Sequence, residues 1–509
     1  MTRTLLTVII TLLLALPSTA QQVSRRGPGC WRTSEAQRYV AARLAASRQA
    51  GSRSQEITKG YFGKKKGLVI LAEFTDKQFK AGNDKEKYEQ ILNEPGYTTS
   101  EGFKGSVADY FHDQSGGLFE LQFDVVGPYT TKHGYAYYGE NDKDGYDLHP
   151  EEMVMEMCLA ADNEVNFADY DWDGDGEVDE VFVVYAGKGE ADGGSANTIW
   201  PHMWALEAAE KQLTLDGTHI NVYACANELT NSRTINGIGT FCHEFSHCLG
   251  LPDVYDVEYT GNNYCMGSFD VMSDGTYNGN GFTPAGYTAF EKMSCGWQSP
   301  ITLGDDDVVV DNLKPMNQQG DFYIIYNDGH PDEFYLIENR QKNGWDKYIP
   351  SSGLIIYHID YDEDVWYNNI PNTIYSEKEA LELGYTCGND HLRITFFHAN
   401  NSEKSPKLYP YYQRDSLTAT SEPAATLFHA NSLGTKLMQG ALLDIHQNGD
   451  DTMGFTYRAP NSSITAIEPL PSPLSRLPSK TFYTLDGRKF NSPSKKGIYI
   501  INGKKVVIL

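Results

Sequence analysis

The stretch "GTFCHEFSHCLGLPDVYD", residues 239–256, decides how this 509-residue chain is read. On a helix, His243 and His247 lie on one face, about 6 Å apart at Cβ. Two imidazoles at that spacing can reach one zinc ion at roughly 2.1 Å. Glu244 follows the first histidine and can point toward a metal-activated water without binding the metal. It would accept that water's proton and later pass it to a leaving amine. Gly250 can end the helix in a left-handed conformation, and Pro252 prevents its resumption. The turned chain could then swing Asp253 back as an oxygen ligand, leaving a fourth position for water. Asp256, Glu258 and Asp270 are rivals for that role, and a carboxylate orienting a histidine is the alternative for Asp253.

Two neighbouring stretches extend the reading. Downstream, "CMGSFDVMSDGTYNGNGFTPAGYTAFEKMSCGW" holds Met272 in a Gly/Ser/Asp-rich turn, where it can form a hydrophobic floor beneath a histidine-bound metal. Tyr277 can donate a hydrogen bond to a tetrahedral oxyanion, with Tyr264 and Tyr287 as alternatives. Glu291, on an amphipathic helix, is read as structural. Upstream, "DYDWDGDGEVDE" offers Asp171, Asp173, Asp175, Gly176 and Asp179 at the 1, 3, 5, 6 and 9 positions of a calcium loop. Position 12 is Phe182 rather than a bidentate Glu. The expectation is a truncated calcium loop, against an acidic turn without an ion.

Composition bounds the surroundings of this centre. The chain is too long for one hydrophobic core, so two to four folded units are expected. A net charge of −26 argues against nucleic acid or an anionic membrane as the main partner. Protein or peptide substrates are the partners expected instead. The first twenty residues, "MTRTLLTVIITLLLALPSTA", carry an early Arg3, an apolar run and a small-residue end. They read as a cleaved signal peptide, because the run falls short of the roughly 20 residues a membrane helix needs. No other membrane-length apolar run follows, so no transmembrane segment is expected after cleavage. The protein is expected outside the cell, secreted or attached to a cell surface. Eight cysteines show no regular spacing, which leaves bridges and buried thiols both open.

Residues 21–66 hold eleven Lys/Arg against two Glu and read as a basic N-terminal segment, either a propeptide or a basic arm. In the propeptide case, Cys30 could cap the zinc. Residues 67–300 alternate helices and strands, an α+β pattern in which "GLVILAEF" begins a core sheet and "IWPHMW" offers an edge for substrate backbone. From residue 301 alternating runs such as "DFYIIYN", "DEFYLIENR" and "GLIIYHIDYD" suggest an all-β, sandwich-like module to about 458. A Pro/Ser-rich linker, 459–480, leads to a C-terminal β tail, 481–509. That tail reads as three short strands with hairpin turns at Asp486-Gly487 and Asn502-Gly503.

The opening motif resembles the zinc-site signature of the immune inhibitor A family of secreted metalloproteases, a metzincin-like group. "GLVILAEFTDKQF", "GSVADYFHDQSGGLFELQFDVVGPY", "DYDWDGDGEVDEVFVVYAG" and "EFYLIENRQKNGWD" look like successive segments of that family in family order. The resemblance covers roughly residues 66–365, and more weakly extends to about 458. It implies His243 and His247 as zinc ligands, Glu244 as catalytic base, Met272 in the turn beneath the metal and a structural cation in the acidic loop. Asp253 fits the metzincin variant that has Asp in place of a third His. The tail, with "YTLDGRK" and "KKGIYIINGKKV", resembles C-terminal modules of secreted Bacteroidetes proteins, some of which are secretion-sorting signals. The expected function is a secreted zinc endopeptidase. The alternative is a secreted adhesion or binding protein whose metal site is structural and which cleaves nothing.

Overall fold

"GLVILAE" is a continuous apolar run, and such runs suit a strand buried on both faces of a parallel sheet. The computed structural model places it there, within β1, Gly63–Glu73. It describes residues 61–143, 145–260 and 264–460, and the strands between 482 and 508 by their backbone. The signal peptide, Cys30, the basic segment up to residue 60, the linker from residue 461 and both tail turns lie outside the described residues. The strand begins four residues before Gly67, and Tyr61 is buried with its hydroxyl on the Cys248 carbonyl at 3.4 Å. Residues 63–66 are thus paired in the first sheet, and Tyr61 joins the core.

In chain order, α1 (Lys85–Asn93) and α2 (Val107–Ser115) follow, then β2 (Phe119–Thr130), α3 (Tyr135–Gly139), α4 (Pro150–Ala161) and β3 (Val181–Lys188). Ser106 and Asp109 close a reciprocal capping box at the start of α2, and Gly116, at φ +65°, ends it. Next come β4 (His202–Ala205), the small hairpin β5 (Leu213–Leu215) and β6 (Thr218–Ile220), β7 (Val222–Leu229) and α5 (Gly239–Cys248). The first sheet has the order β2-β1-β3-β7-β4. Its first four strands are parallel, and β4 runs antiparallel along the edge. This edge is the one expected around "IWPHMW".

After α6 (Ala289–Ser294) come β8 (Ile301–Thr302), β9 (Val308–Leu313), β10 (Tyr323–Tyr326), β11 (Glu333–Arg340) and β12 (Gly353–Asp360). Two short helices follow, α7 (Glu363–Tyr367) and α8 (Glu377–Glu382), then β13 (Ile394–Phe396), β14 (Ala441–Gln447) and β15 (Met453–Arg458). These helices depart from the all-β expectation; Asp362 and Ser376 cap their N-termini, signals that the strand-rich flanks overshadow. The second sheet runs β13-β12-β11-β10-β8 and the third β14-β15-β9.

Alternation along β10–β12 gives the second sheet two apolar faces. Tyr323, Ile325, Tyr335, Ile337 and Ile356 join the third sheet in one core, with Tyr323 and Phe455 in edge contact at 5.3 Å. Ile324, Leu336, Ile355, Tyr357 and Ile359 belong instead to the core that begins with β1. The region after residue 300 therefore shares its hydrophobic core with the region before it. Four tail strands form a separate antiparallel sheet: β16 (Phe482–Thr484), β17 (Lys489–Phe490), β18 (Gly497–Ile501) and β19 (Lys504–Ile508). That is one strand more than the three expected.

One buried ion-pair cluster fastens the two regions. Arg340, fully buried on β11, donates Nε to Asp346 Oδ2 at 3.0 Å, Nη1 to Glu338 Oε1 at 3.1 Å and Nη2 to the Gly286 carbonyl at 3.1 Å. Glu338 in turn accepts the Ala289 N–H at 2.6 Å at the start of α6. Removing one partner of such a pair strands the other charge in the interior, so Arg340→Ala is expected to cost about 3–5 kcal/mol. A lowered urea midpoint against the parent protein checks this.

Candidate metal centre

The helix α5 is buried along nearly its whole length, so its two sides meet different surroundings. Phe241 stacks on Phe182 of β3 at 3.8 Å, and Phe245 lies 4.8 Å from Phe111 of α2. This aromatic side fixes the helix on the sheet and turns the histidines the other way. At the N-terminus only glycine fits: a Cβ on Gly239 would stand 1.9 Å from the Thr276 carbonyl oxygen. At the C-terminus Gly250 adopts φ +86°, as the sequence suggests, and its N–H bonds the His247 carbonyl at 2.9 Å.

Each histidine is held through its Nδ1. His243 Nδ1 lies 2.8 Å from the Val271 carbonyl and His247 Nδ1 lies 2.8 Å from the Leu251 carbonyl. A carbonyl oxygen only accepts, so both Nδ1 atoms carry protons, and Nε2 is the atom each ring can offer to a metal. Both Nε2 atoms face the same atom, Asp253 Oδ1, each at 3.2 Å. Tetrahedral ligands at about 2.1 Å from a zinc ion stand about 3.4 Å apart, so separations of 3.2 Å are near those of a shared metal. Asp253 is fully buried, and its Oδ1 has no hydrogen-bond donor. A cation is the natural partner for such an oxygen.

Asp253 owes its direction to a distant segment. Asn369 donates Nδ2 to Asp253 Oδ2 at 2.7 Å and accepts the Asp253 N–H on Oδ1 at 2.6 Å. That amide clamp occupies Oδ2 and leaves Oδ1 for the histidines. Burial alone would raise the Asp253 pKa, but the two imidazoles reverse this and hold it below the carboxylate range. Burial likewise disfavours a charged His243, yet Asp253 and Glu244 outweigh it and raise its pKa to about 9.

The rival ligands are engaged elsewhere. Asp270 accepts the Met272 N–H at 2.7 Å and is paired with Glu291, Asp256 accepts the Thr260 N–H at 3.0 Å, and Glu258 accepts the Tyr375 hydroxyl. Met272 is fully buried, and its carbonyl accepts the Val254 N–H at 2.9 Å. The 270–272 turn therefore touches both the His243 ring and the Asp253 loop through its backbone. Tyr287 is buried behind α5 with its hydroxyl on Ser246 Oγ, which removes it from the oxyanion role. Tyr277 ends a short 3-10 turn with 57% of its surface exposed.

Glu244 completes the cluster: ligand atoms of His243, Glu244 and His247 lie within 4.8 Å of one another. Burial raises its pKa, while the imidazoles partly lower it. The backbone N–H of Met203 on edge strand β4 bonds the carboxylate, whereas Oε2 has no partner. This leaves one oxygen free to take a proton beside the edge strand.

The acidic loop is assembled in part. One oxygen each of Asp171, Asp173 and Asp179 fall within 4.8 Å of one another. Asp175 lies outside that group, and its Oδ1 accepts the Glu177 N–H at 2.9 Å. Phe182, at the twelfth position, faces α5 and supplies no ligand. All seven described cysteines are free thiols, six of them buried.

Sequence reasoning missed Asn369. It lies 116 residues from Asp253, and its only local signal is a run of amides in "YNNIPNT" with no indicated partner. Tyr255 carries no local signal either, yet its ring lies 6.4 Å from that of His243.

Residues 53–298 match the family described as immune inhibitor A peptidase M6, catalytic domain. The chain is 30% identical to immune inhibitor A of Bacillus thuringiensis subsp. alesti over an alignment covering 47% of this chain and 40% of that protein. It is also 30% identical to the pre-pro-metalloprotease PrtV of Vibrio cholerae, covering 40% of this chain and 25% of that one. The chain thus spans less than half the length of either relative. A metalloprotease is the enzyme class these similarities support. The match contains His243, Glu244, His247 and Asp253 but stops short of Asn369 and of the residue 365 suggested by the sequence.

Groups that orient a metal ligand typically contribute 10–100-fold in affinity. Asn369→Ala is therefore expected to weaken zinc binding about 10–100-fold. Competition against a chromophoric chelator measures it, with far-ultraviolet circular dichroism checking that the fold is retained.

Proposed function

We propose that this chain is a secreted zinc endopeptidase in which His243, His247 and Asp253 hold the metal and Glu244 moves the proton. The observation that carries this reading is the convergence of two Nε2 atoms on one orphaned carboxylate oxygen, with a buried, half-satisfied glutamate beside them. Two neutral imidazoles and one carboxylate suit zinc and leave a position open. When bound, zinc supplies Lewis acidity that polarises a scissile carbonyl and makes water nucleophilic near neutral pH.

The chain's own residues then divide the work. Strand β4 offers backbone groups on the sheet edge that can align an extended substrate beside the centre. Glu244 accepts the proton of the attacking water on its free oxygen and delivers it to the departing amine. Its burial raises the carboxyl's proton affinity against the lowering effect of the imidazoles, which favours its taking up a proton. Tyr277 is the oxyanion donor of this proposal, reaching substrate from the exposed end of its turn. Asp171, Asp173 and Asp179 hold calcium and brace β3, with Asp175 supporting the loop from outside the ligand group. The signal-peptide reading of residues 1–20 supports export. Among the described residues no helix is long and apolar enough to cross a membrane.

A general acid–base group typically contributes 10²–10⁴-fold, so Glu244→Gln should lower kcat on casein by about that factor. Zinc content, measured by mass spectrometry of the purified protein, should stay at the parent value. Parent-like casein cleavage by the Gln variant would refute the assignment, and cleavage that survives a strong chelator would refute the metal.

A further inference from the structure

Asp360 closes β12 with a fully buried carboxylate, and four basic side chains converge on it. Arg393 Nη1 reaches Oδ2 at 2.8 Å, and His391 Nε2 reaches the same oxygen at 2.9 Å. The other nitrogen of His391 lies 2.6 Å from Asp390, so this ring is committed at both ends. His429 Nε2 also faces Oδ2, at 3.0 Å. His330 Nε2 faces Oδ1 at 3.6 Å, too far for a hydrogen bond. Oδ1 is consequently buried with no donor.

The rings of His330 and His429 lie face to face, 3.9 Å between centroids and tilted by 30°. Two imidazolium ions at that distance would repel each other, and Arg393 already supplies positive charge at the same carboxylate. In its neutral form each ring offers one nitrogen lone pair to an ion. One ligand atom from each of His330, Asp360 and His429 lies within 4.8 Å of the others. Both rings remain open to solvent, with side-chain exposures of 38% and 41%, which leaves an ion a way in.

We propose that His330, Asp360 and His429 form a second divalent-metal site, separate from the centre on α5. Two imidazole nitrogens and one carboxylate oxygen select zinc or a similar borderline transition ion over calcium or magnesium. Asp360 Oδ1 is the free oxygen, and Arg393 and His391 hold the carboxylate in place through Oδ2. To bind through Nε2, the neutral His429 ring carries its single proton on Nδ1, exchanged through solvent, and turns the Nε2 lone pair to the ion with no net proton released. The ion would clip three segments: the turn between β10 and β11, the end of β12 and the loop at His429. These segments are already tied by the His429 N–H to Glu333 Oε2 at 3.0 Å and the Ser432 N–H to Asp328 Oδ1 at 3.0 Å. The site is therefore a brace of the β region.

Zinc chloride titrated calorimetrically into the full chain, with His243→Ala and His247→Ala removing the first centre and excess calcium present, tests the proposal. One zinc per chain is expected, and adding His330→Ala and His429→Ala should bring this to none. Unchanged stoichiometry after the second pair of substitutions would overturn the site. The unmutated protein gives an independent reading through histidine modification by diethyl pyrocarbonate, mapped by mass spectrometry. Zinc should protect His330 and His429 while exposed His112 reacts as before. Equal modification of His330 and His429 with and without zinc would also overturn it.

Discussion

Two backbone carbonyls govern the centre on α5. Leu251 and Val271 each accept an Nδ1 proton from one histidine, which turns both Nε2 atoms toward Asp253. The carbonyls come from opposite sides, one from the turn just after the helix and one from the segment before Met272. Met272 then bonds back to Val254, so the post-helical loop and the 270–272 turn close around the histidines. Moving either carbonyl would free a ring to rotate and would separate the ligand atoms.

The loop bearing Asp253 has little regular structure, yet it is buried, and unpaired polar groups there would each cost about 1–3 kcal/mol. A segment beyond β12 satisfies them. Asn369 clamps Asp253, Asn372 donates to the Val254 carbonyl at 2.8 Å, and Thr373 Oγ1 accepts the Val257 N–H at 2.8 Å. Val257 also packs with Val365, Ile370 and Tyr375 in a small apolar cluster. The β region is thus a mould for the loop of the metal centre, not an appendage to it. Asn369 can serve because asparagine tolerates its left-handed φ of +58° and still presents both a donor and an acceptor.

The acidic loop and the helix are also mechanically joined. Trp172 donates its indole N–H to the Lys66 carbonyl at 2.7 Å and packs near Phe119 and Phe245. Asp179 holds the Trp172 backbone, so the carboxylates and the aromatic support of α5 share one short segment. A cation there would stiffen the start of the central strand β3, on which Phe182 stacks against the histidine helix. Arg340 provides the matching restraint from the other side by fastening the Gly286–Ala289 stretch, next to Tyr287, whose hydroxyl bonds Ser246 on the helix.

Local rules made part of this protein legible from its residues. Helical spacing put His243 and His247 on one face, Gly250 marked the end of the helix, and apolar runs marked β1 and β3. These features depend on neighbours a few positions away, and the chain's own geometry enforces them. The tertiary structure alone decided among Asp253, Asp256, Glu258 and Asp270 as the carboxylate facing both histidines, because each is within plausible reach and only packing distinguishes them. It also decided that the second sheet carries two apolar faces and so shares a core with the first, where alternation alone suggested a separate module. Asn369, Arg340 and the histidines around Asp360 escaped notice for the same reason. Their partners are far away in the chain, and a polar side chain carries no mark of the buried group it will meet.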